Sequence, residues 1–165
     1  MVPFTMHGAN VRSRISSEEW KKVCKVVHKQ AGLKHHCQIC RQSGKDQGFE
    51  WPVECHEKWH YDDKRHTQTL TGMLSLCPMC HKAKHYGLAV KQGYERQVRK
   101  HLMRVNRWSE AQLDVYISES MATVKERSAY TWTLDLTYLN NYEYSFLGTE
   151  FTENEKSNCS TVVFY

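Results

Sequence analysis

Residues 76–85 read "LCPMCHKAKH". Cys77 and Cys80 stand three apart and His81 and His85 four apart, so four metal-binding side chains fall within ten residues. Two thiolates at C-x-x-C spacing can pinch one zinc ion. Two imidazoles at i and i+4 share one face of a helix, where they can hold a second metal. The stretch therefore predicts service to two metals, and the remaining ligands of each must come from elsewhere in the chain.

For the thiolates the partner is plain. Cys37 and Cys40, in "CQIC", form a second C-x-x-C pair, and four thiolates from two knuckles match a closed, tetrahedral structural zinc with room for a hairpin between the pairs. Such a zinc holds elements together and does not catalyse. The chain has seven cysteines, an odd number, and Cys24 and Cys159 belong to neither pair. That usage predicts metal binding in a reducing compartment rather than a disulfide scaffold.

A chain of 165 residues, 40% hydrophobic and 25% charged, predicts one main core with extensions. No run approaches the ~18 apolar residues of a membrane span, and "MVPFTMHGANVRSR" lacks an apolar leader core. The expectation is a cytoplasmic protein with no membrane partner. The net charge of +5 is unevenly placed. Residues 1–106 carry 19 Lys and Arg against 9 Asp and Glu, a balance of +10, whereas 107–165 carry 4 against 9, a balance of −5. The basic part holds the metal motifs, which suits a polyanion such as nucleic acid, although mixed charge also keeps a domain in solution.

Along the chain, "SSEEWKKVCKVVHKQ" (16–30) predicts an amphipathic helix, with Ser16 or Ser17 as cap, acids in the first turn and Gly32 beyond its end. Phe49, Trp51, Val53 and Cys55 alternate as in a strand, with Pro52 marking an edge or a start. Pro78 suits the first turn of a helix carrying His81 and His85, and Gly87 is expected to end it. Helices follow over 94–105 and, behind a Ser109/Gln112 capping box, over "EAQLDVYISESMATVKER". "TWTLDLTYL" (131–139) alternates Trp132, Leu134, Leu136 and Tyr138 and predicts a strand. The last twenty or so residues, mostly polar and acidic before "TVVFY", are expected to be loosely held or paired at a sheet edge.

Between the knuckles lies "VECHEKWHYDD". A first C-x-x-C, then "V-E-x-H", then "L-x-x-L-C-x-x-C-H-x-x-x-H" resembles the HNH endonuclease superfamily. The likeness extends to a bacterial or phage HNH-like subgroup through His56–Asp62, His81–Ala89 and Arg127–Leu136, and so covers about residues 33–140. The resemblance implies an α+β protein with a zinc-stapled ββα-metal core and metal-dependent cleavage of phosphodiester bonds. It implies that His81 and His85 are helix ligands of a divalent ion (Mg2+, Mn2+ or Zn2+) and that His56 is the strand histidine. Two registers stay open: His56 as ligand puts Glu57 at the general-base position, and His56 as base puts Cys55 at a ligand position. Gly72 stands where the family has its central Asn.

The expected organisation is an arm and helix over 1–32, the HNH-like core over 33–106, a helix and strand over 107–140 and an acidic extension over 141–165. Catalytic candidates are His56, Glu57 and His81. Metal candidates are Cys37, Cys40, Cys77 and Cys80 for zinc, and His56, His81 and His85 for the second ion. His60, Asp62 and Asp63 are read as an ordinary turn rather than as ligands. Trp51, Trp59, Tyr61 and Trp132 are candidates for stacking on bases, though core aromatics are commoner. Arg96, Arg99, Lys100 and Arg104 on one helix could track a phosphate backbone. The partner implied is nucleic acid, DNA before RNA. The rival expectation is a nuclease-inactive zinc protein that binds nucleic acid or blocks a protein partner.

Overall fold

The computed structural model describes residues 2–32, 35–153 and the backbone of 155–156. The chain is a mixed α+β protein that divides into two compact units, each drawn from separated stretches: Val27–His56 with Leu74–Ala122, and Val2–Val26 with Glu57–Met73 and Thr123–Tyr165.

The first unit holds both knuckles. Its helices include the end of α1 (Ser17–Gln30), α2 (Pro78–Lys84), α3 (Tyr86–Lys91), α4 (Glu95–Asn106) and most of α5 (Glu110–Arg127). Its strands are the start of β1 (Glu54–Asp62) and the end of β2 (Thr67–Leu76). Local signals set several ends. The Ser109 hydroxyl accepts from Gln112 N at 3.2 Å while the Gln112 side chain accepts from Ser109 N at 2.8 Å, the reciprocal cap expected at the head of α5. Pro78 opens α2 as expected, because its missing N–H would have had no helical partner. Gly87, however, lies inside α3. The helix ends earlier, at His85 (φ −106°, ψ 46°), whose N–H is shared by the His81 and Lys82 carbonyls, and the chain restarts at Tyr86 so that Ala89 is buried.

The strand expected from Phe49 begins only at Glu54. Residues 49–53 instead close a loop on Gly44, whose N–H donates to the Pro52 carbonyl (2.7 Å) and whose carbonyl accepts from Phe49 N (3.0 Å). Gly44 has no alternative: a Cβ there would collide with the Trp51 carbonyl oxygen and the Pro78 ring, so this glycine lets the first knuckle's loop lie against the head of α2.

The second unit is organised by a sheet of order β1-β2-β3-β4, with β3 at Thr133–Asp135 and β4 at Glu155–Lys156. The four residues 63–66 between β1 and β2 are too few for a crossover, so the pair is an antiparallel hairpin. β2 pairs parallel with β3 (Thr67 opposite Thr133, Thr69 opposite Asp135), and β3 pairs antiparallel with β4. β3 is shorter than the alternation over 131–139 predicts. The Asp135 carboxylate accepts from Thr137 N (2.9 Å) and from the Thr137 hydroxyl (2.7 Å), which turns the chain into a 3-10 segment, Thr137–Asn140. Trp132, Leu134, Leu136 and Leu139 are nevertheless buried, joined by Met6, Leu70 and Tyr144.

Asp62 caps its own turn, accepting from Lys64 N and Arg65 N at 3.0 Å each, as the reading of "YDD" as a turn expects. Asp63 takes the Arg127 guanidinium on both oxygens (2.7 and 2.8 Å). The acidic tail is anchored as far as Phe151, which exchanges two 2.9 Å hydrogen bonds with the Asn140 side chain, and Glu155–Lys156 forms the sheet edge. Cys159 and "TVVFY" lie outside the described residues. Among the described residues, no helix is long and apolar enough to cross a membrane.

Candidate metal centres

Each knuckle is held by a different device. In the first, Cys37 N donates to the Gln42 carbonyl (2.9 Å) and Arg41 N to the Cys37 carbonyl (3.0 Å), with Arg41 in the left-handed region (φ 63°). Gln38 ties the knuckle to the end of β2 by two hydrogen bonds with the Ser75 backbone, at 2.9 and 2.7 Å. In the second, Cys77 is the N-cap of α2 and its sulfur accepts from Cys80 N. The result brings the Sγ atoms of Cys37, Cys40, Cys77 and Cys80 within 4.8 Å of one another.

The donor set fits zinc. Four soft sulfurs in a small buried cluster meet the count and character of a closed tetrahedral site. The thiols also couple strongly. Hydrogen bonds within the cluster, led by the one to Cys40, pull Cys37 down to about 6, while the one to Cys37 leads in pushing Cys40 up. Cys24 and Cys55 do not join the group.

The second centre joins a strand to a helix. His56 on β1, His81 on α2 and His85 at the α2–α3 junction bring one ring nitrogen each within 4.8 Å of the others. Their ring centroids lie 4.8–5.2 Å apart, edge to face. His56 is 8% exposed, and its Nδ1 is buried without a hydrogen-bond partner. Burial first, then the electrostatic effect of His85, His81 and Lys84, presses its pKa down to about 3, so the imidazole is neutral and one ring nitrogen offers a lone pair. An orphaned buried nitrogen beside two further imidazoles is a donor set that a divalent ion completes.

His81 is aimed by a residue that the sequence did not single out. Its Nδ1 lies 2.5 Å from Glu54 Oε2, and the other Glu54 oxygen accepts from the Trp51 indole N–H at 2.7 Å. Burial works to raise the Glu54 pKa, but the His81 hydrogen bond and charge outweigh it and hold the carboxylate ionised. A carboxylate on Nδ1 leaves Nε2 of His81 for a metal, an arrangement that orients metal-binding histidines generally. Glu54 is legible in hindsight, since it precedes His56 by two residues and so shares its strand face.

The same alternation separates the other candidates. Cys55 and Glu57 lie on the opposite face of β1 from His56, and neither belongs to the histidine cluster. Gly72 is buried within β2, where an added Cβ would meet only ordinary contacts with Lys58. Trp132 is 1% exposed and gives its indole N–H to the Arg127 carbonyl, so it is core, and the half-buried Tyr61 packs edge-on against it at 5.6 Å. Of the helix cations, Arg99 is held by Asp114 (2.6 Å) and Glu110 (3.4 Å) and Arg104 by Gln42 (2.5 Å), which leaves Arg96 and Lys100 of that set on the open surface.

The chain matches no known protein family, no curated protein and no solved structure.

Proposed function

We propose that the chain is a metal-dependent endonuclease of the HNH kind, with a structural zinc at the four cysteines and a hydrolytic divalent ion at the three histidines. The carrying observation is the convergence of His56 with His81 and His85, donated by a hairpin strand and the helix that follows it. A divalent ion in that position supplies a Lewis acid for a phosphodiester. The chain's own residues prepare it. His56 stays neutral through burial, Glu54 fixes the His81 ring, and the break at His85 keeps that imidazole beside His81. The +10 balance of residues 1–106 favours a polyanionic substrate, which phosphate contacts would bind with little regard to sequence.

A second reading rests on Glu57 and Gly72. With Glu57 turned to the far face of β1 and glycine at the family's Asn position, the same surface serves a nuclease-inactive protein that binds nucleic acid or a protein partner.

The deciding experiment is plasmid nicking with Mg2+, Mn2+ and Ni2+, wild type against His56→Ala and His81→Ala, with cysteine-bound zinc measured in each. Cleavage lost in both variants at unchanged zinc content supports the nuclease. No cleavage by the wild type with any ion, beside salt-sensitive DNA binding, favours the binding protein.

A further inference from the structure

The cysteine cluster is wrapped by side chains with no ligand role. Cys80 Sγ lies 3.1 Å from Nε2 of His101, a residue of α4 only 6% exposed. The other ring nitrogen, Nδ1, lies 3.0 Å from Arg104 Nη2. A guanidinium has donors and no acceptor, so Nδ1 must offer its lone pair and the ring proton must sit on Nε2, facing the sulfur. The direction of the chain is therefore fixed: Arg104 donates to His101, and His101 donates to Cys80.

The circuit closes on the second knuckle. Arg104 also donates to Gln42 Oε1 at 2.5 Å, and Gln47 Nε2 donates to Cys77 Sγ at 3.1 Å while its carbonyl accepts from Met79 N at 3.2 Å. Cys77 and Cys80 thus each receive a side-chain N–H. On the first knuckle the donors to sulfur are backbone groups: Ile39 N to Cys37 at 3.4 Å, with the Cys40 backbone also bonding Cys37 and the Gln42 backbone bonding Cys40.

We infer that His101 is a positioning residue of the cysteine metal centre, donating Nε2–H to the Cys80 thiolate in a tautomer set by Arg104. The inference rests on the zinc reading of the four cysteines and is independent of the nuclease reading. Four thiolates around a divalent cation leave a net charge of −2 in a buried place, where N–H donors to sulfur offset charge that water cannot reach. The guanidinium carries its positive charge toward the centre through the imidazole, from an exposed position on α4. Helix α4 is thereby joined to the zinc knuckles by polar bonds as well as by packing.

The test uses the full chain loaded with Co2+ in place of zinc, so that the sulfur-to-cobalt charge-transfer band reports on the thiolates. His101→Leu, which fills the space without a donor, is expected to move that band to lower energy and to weaken metal binding about 10- to 100-fold in competition with a chelator. His101→Gln carries an amide N–H at a reach similar to that of Nε2 and is expected to restore both. Arg104→Met, at the surface, should move the band in the same direction as His101→Leu, and it keeps the question answerable if His101→Leu fails to fold. A wild-type spectrum and affinity in His101→Leu, or a His101→Gln variant as impaired as His101→Leu, would overturn the assignment. A wild type with no thiolate-to-cobalt band would instead remove the zinc reading itself, and the inference with it.

Discussion

Cys80→Ser removes one thiolate and puts in its place a hydroxyl that does not ionise at neutral pH, so the cysteine centre should lose its metal. The structural cost follows from what packs there. The buried cluster around the knuckles consists of Cys37, Leu76, Cys77, Met79 and Cys80, with Cys40, Phe49, Leu74 and Tyr94 against it, so three of its five buried members belong to the candidate zinc set. Full burial of Leu76 and Met79 contributes about 1.5–3 kcal/mol each, or about 3–6 kcal/mol together. A structural zinc contributes about 10–16 kcal/mol in small domains, more than those side chains and comparable to the about 5–15 kcal/mol that holds a whole domain folded. On the zinc reading, the metal should therefore dominate this part of the first unit. Hydrogen exchange read by mass spectrometry should show protection lost over 37–52 and 77–106 in Cys80→Ser, and in the wild type under a strong chelator. Protection should persist over 132–147, where Trp132, Leu134, Leu136, Leu139 and Tyr144 form a core without metal ligands. Zinc added back to the wild type should restore the lost protection. A zinc-free wild type that keeps its protection over 77–106 would refute the reasoning, whatever its activity.

Three further outcomes are expected. The folded-state pKa of His56 is depressed from its ordinary 6.5 to about 3, so the unfolded chain takes up the proton first and stability falls as pH drops from about 6.5 toward 3. With no ion at the histidines, the loss attributable to this group should reach about 3 kcal/mol by pH 4, and urea melts of His56→Leu should show a correspondingly flatter profile. Glu54→Ala frees the His81 ring and should weaken Co2+ or Mn2+ binding at the histidines about 10- to 100-fold, with zinc at the cysteines unchanged; titration calorimetry that finds equal affinity would deny Glu54 its orienting role. Arg127→Lys loses the two-pronged contact with Asp63 and the stacking 4.5 Å from the Tyr61 ring centroid, and it should cost about 1 kcal/mol in denaturant melts, a modest figure because Asp63 is largely exposed.

By itself the sequence determined whatever depends on neighbours a few residues away. The C-x-x-C pairs named all four thiolates because a knuckle is a local turn, and His81 and His85 were legible because one helical turn fixes their common face. The reciprocal cap at Ser109 and the turn at Asp62 followed from the same short range. Tertiary structure decided what depends on distant partners. The sequence left open whether His56 or Cys55 takes the strand ligand position, with Glu57 or His56 as base, and only the placement of the start of β1 beside α2 put His56 with the helix histidines and Cys55 and Glu57 on the other face. Glu54 reaches His81 across 27 residues of chain, and His101 reaches Cys80 across 21, with no motif at either end to announce the pairing. The helix expected to stop at Gly87 broke at His85, and the strand expected over 131–139 closed after Asp135. At the first, the His85 backbone leaves helical angles (φ −106°, ψ 46°) while its N–H still meets the His81 and Lys82 carbonyls; at the second, the Asp135 carboxylate captures the Thr137 N–H and hydroxyl before the periodic pattern runs out. Spacing proposes the ligands, but the second ring of donors that holds them is chosen by which surfaces the folded chain brings within 3 Å, and that choice is not written in any window of the sequence.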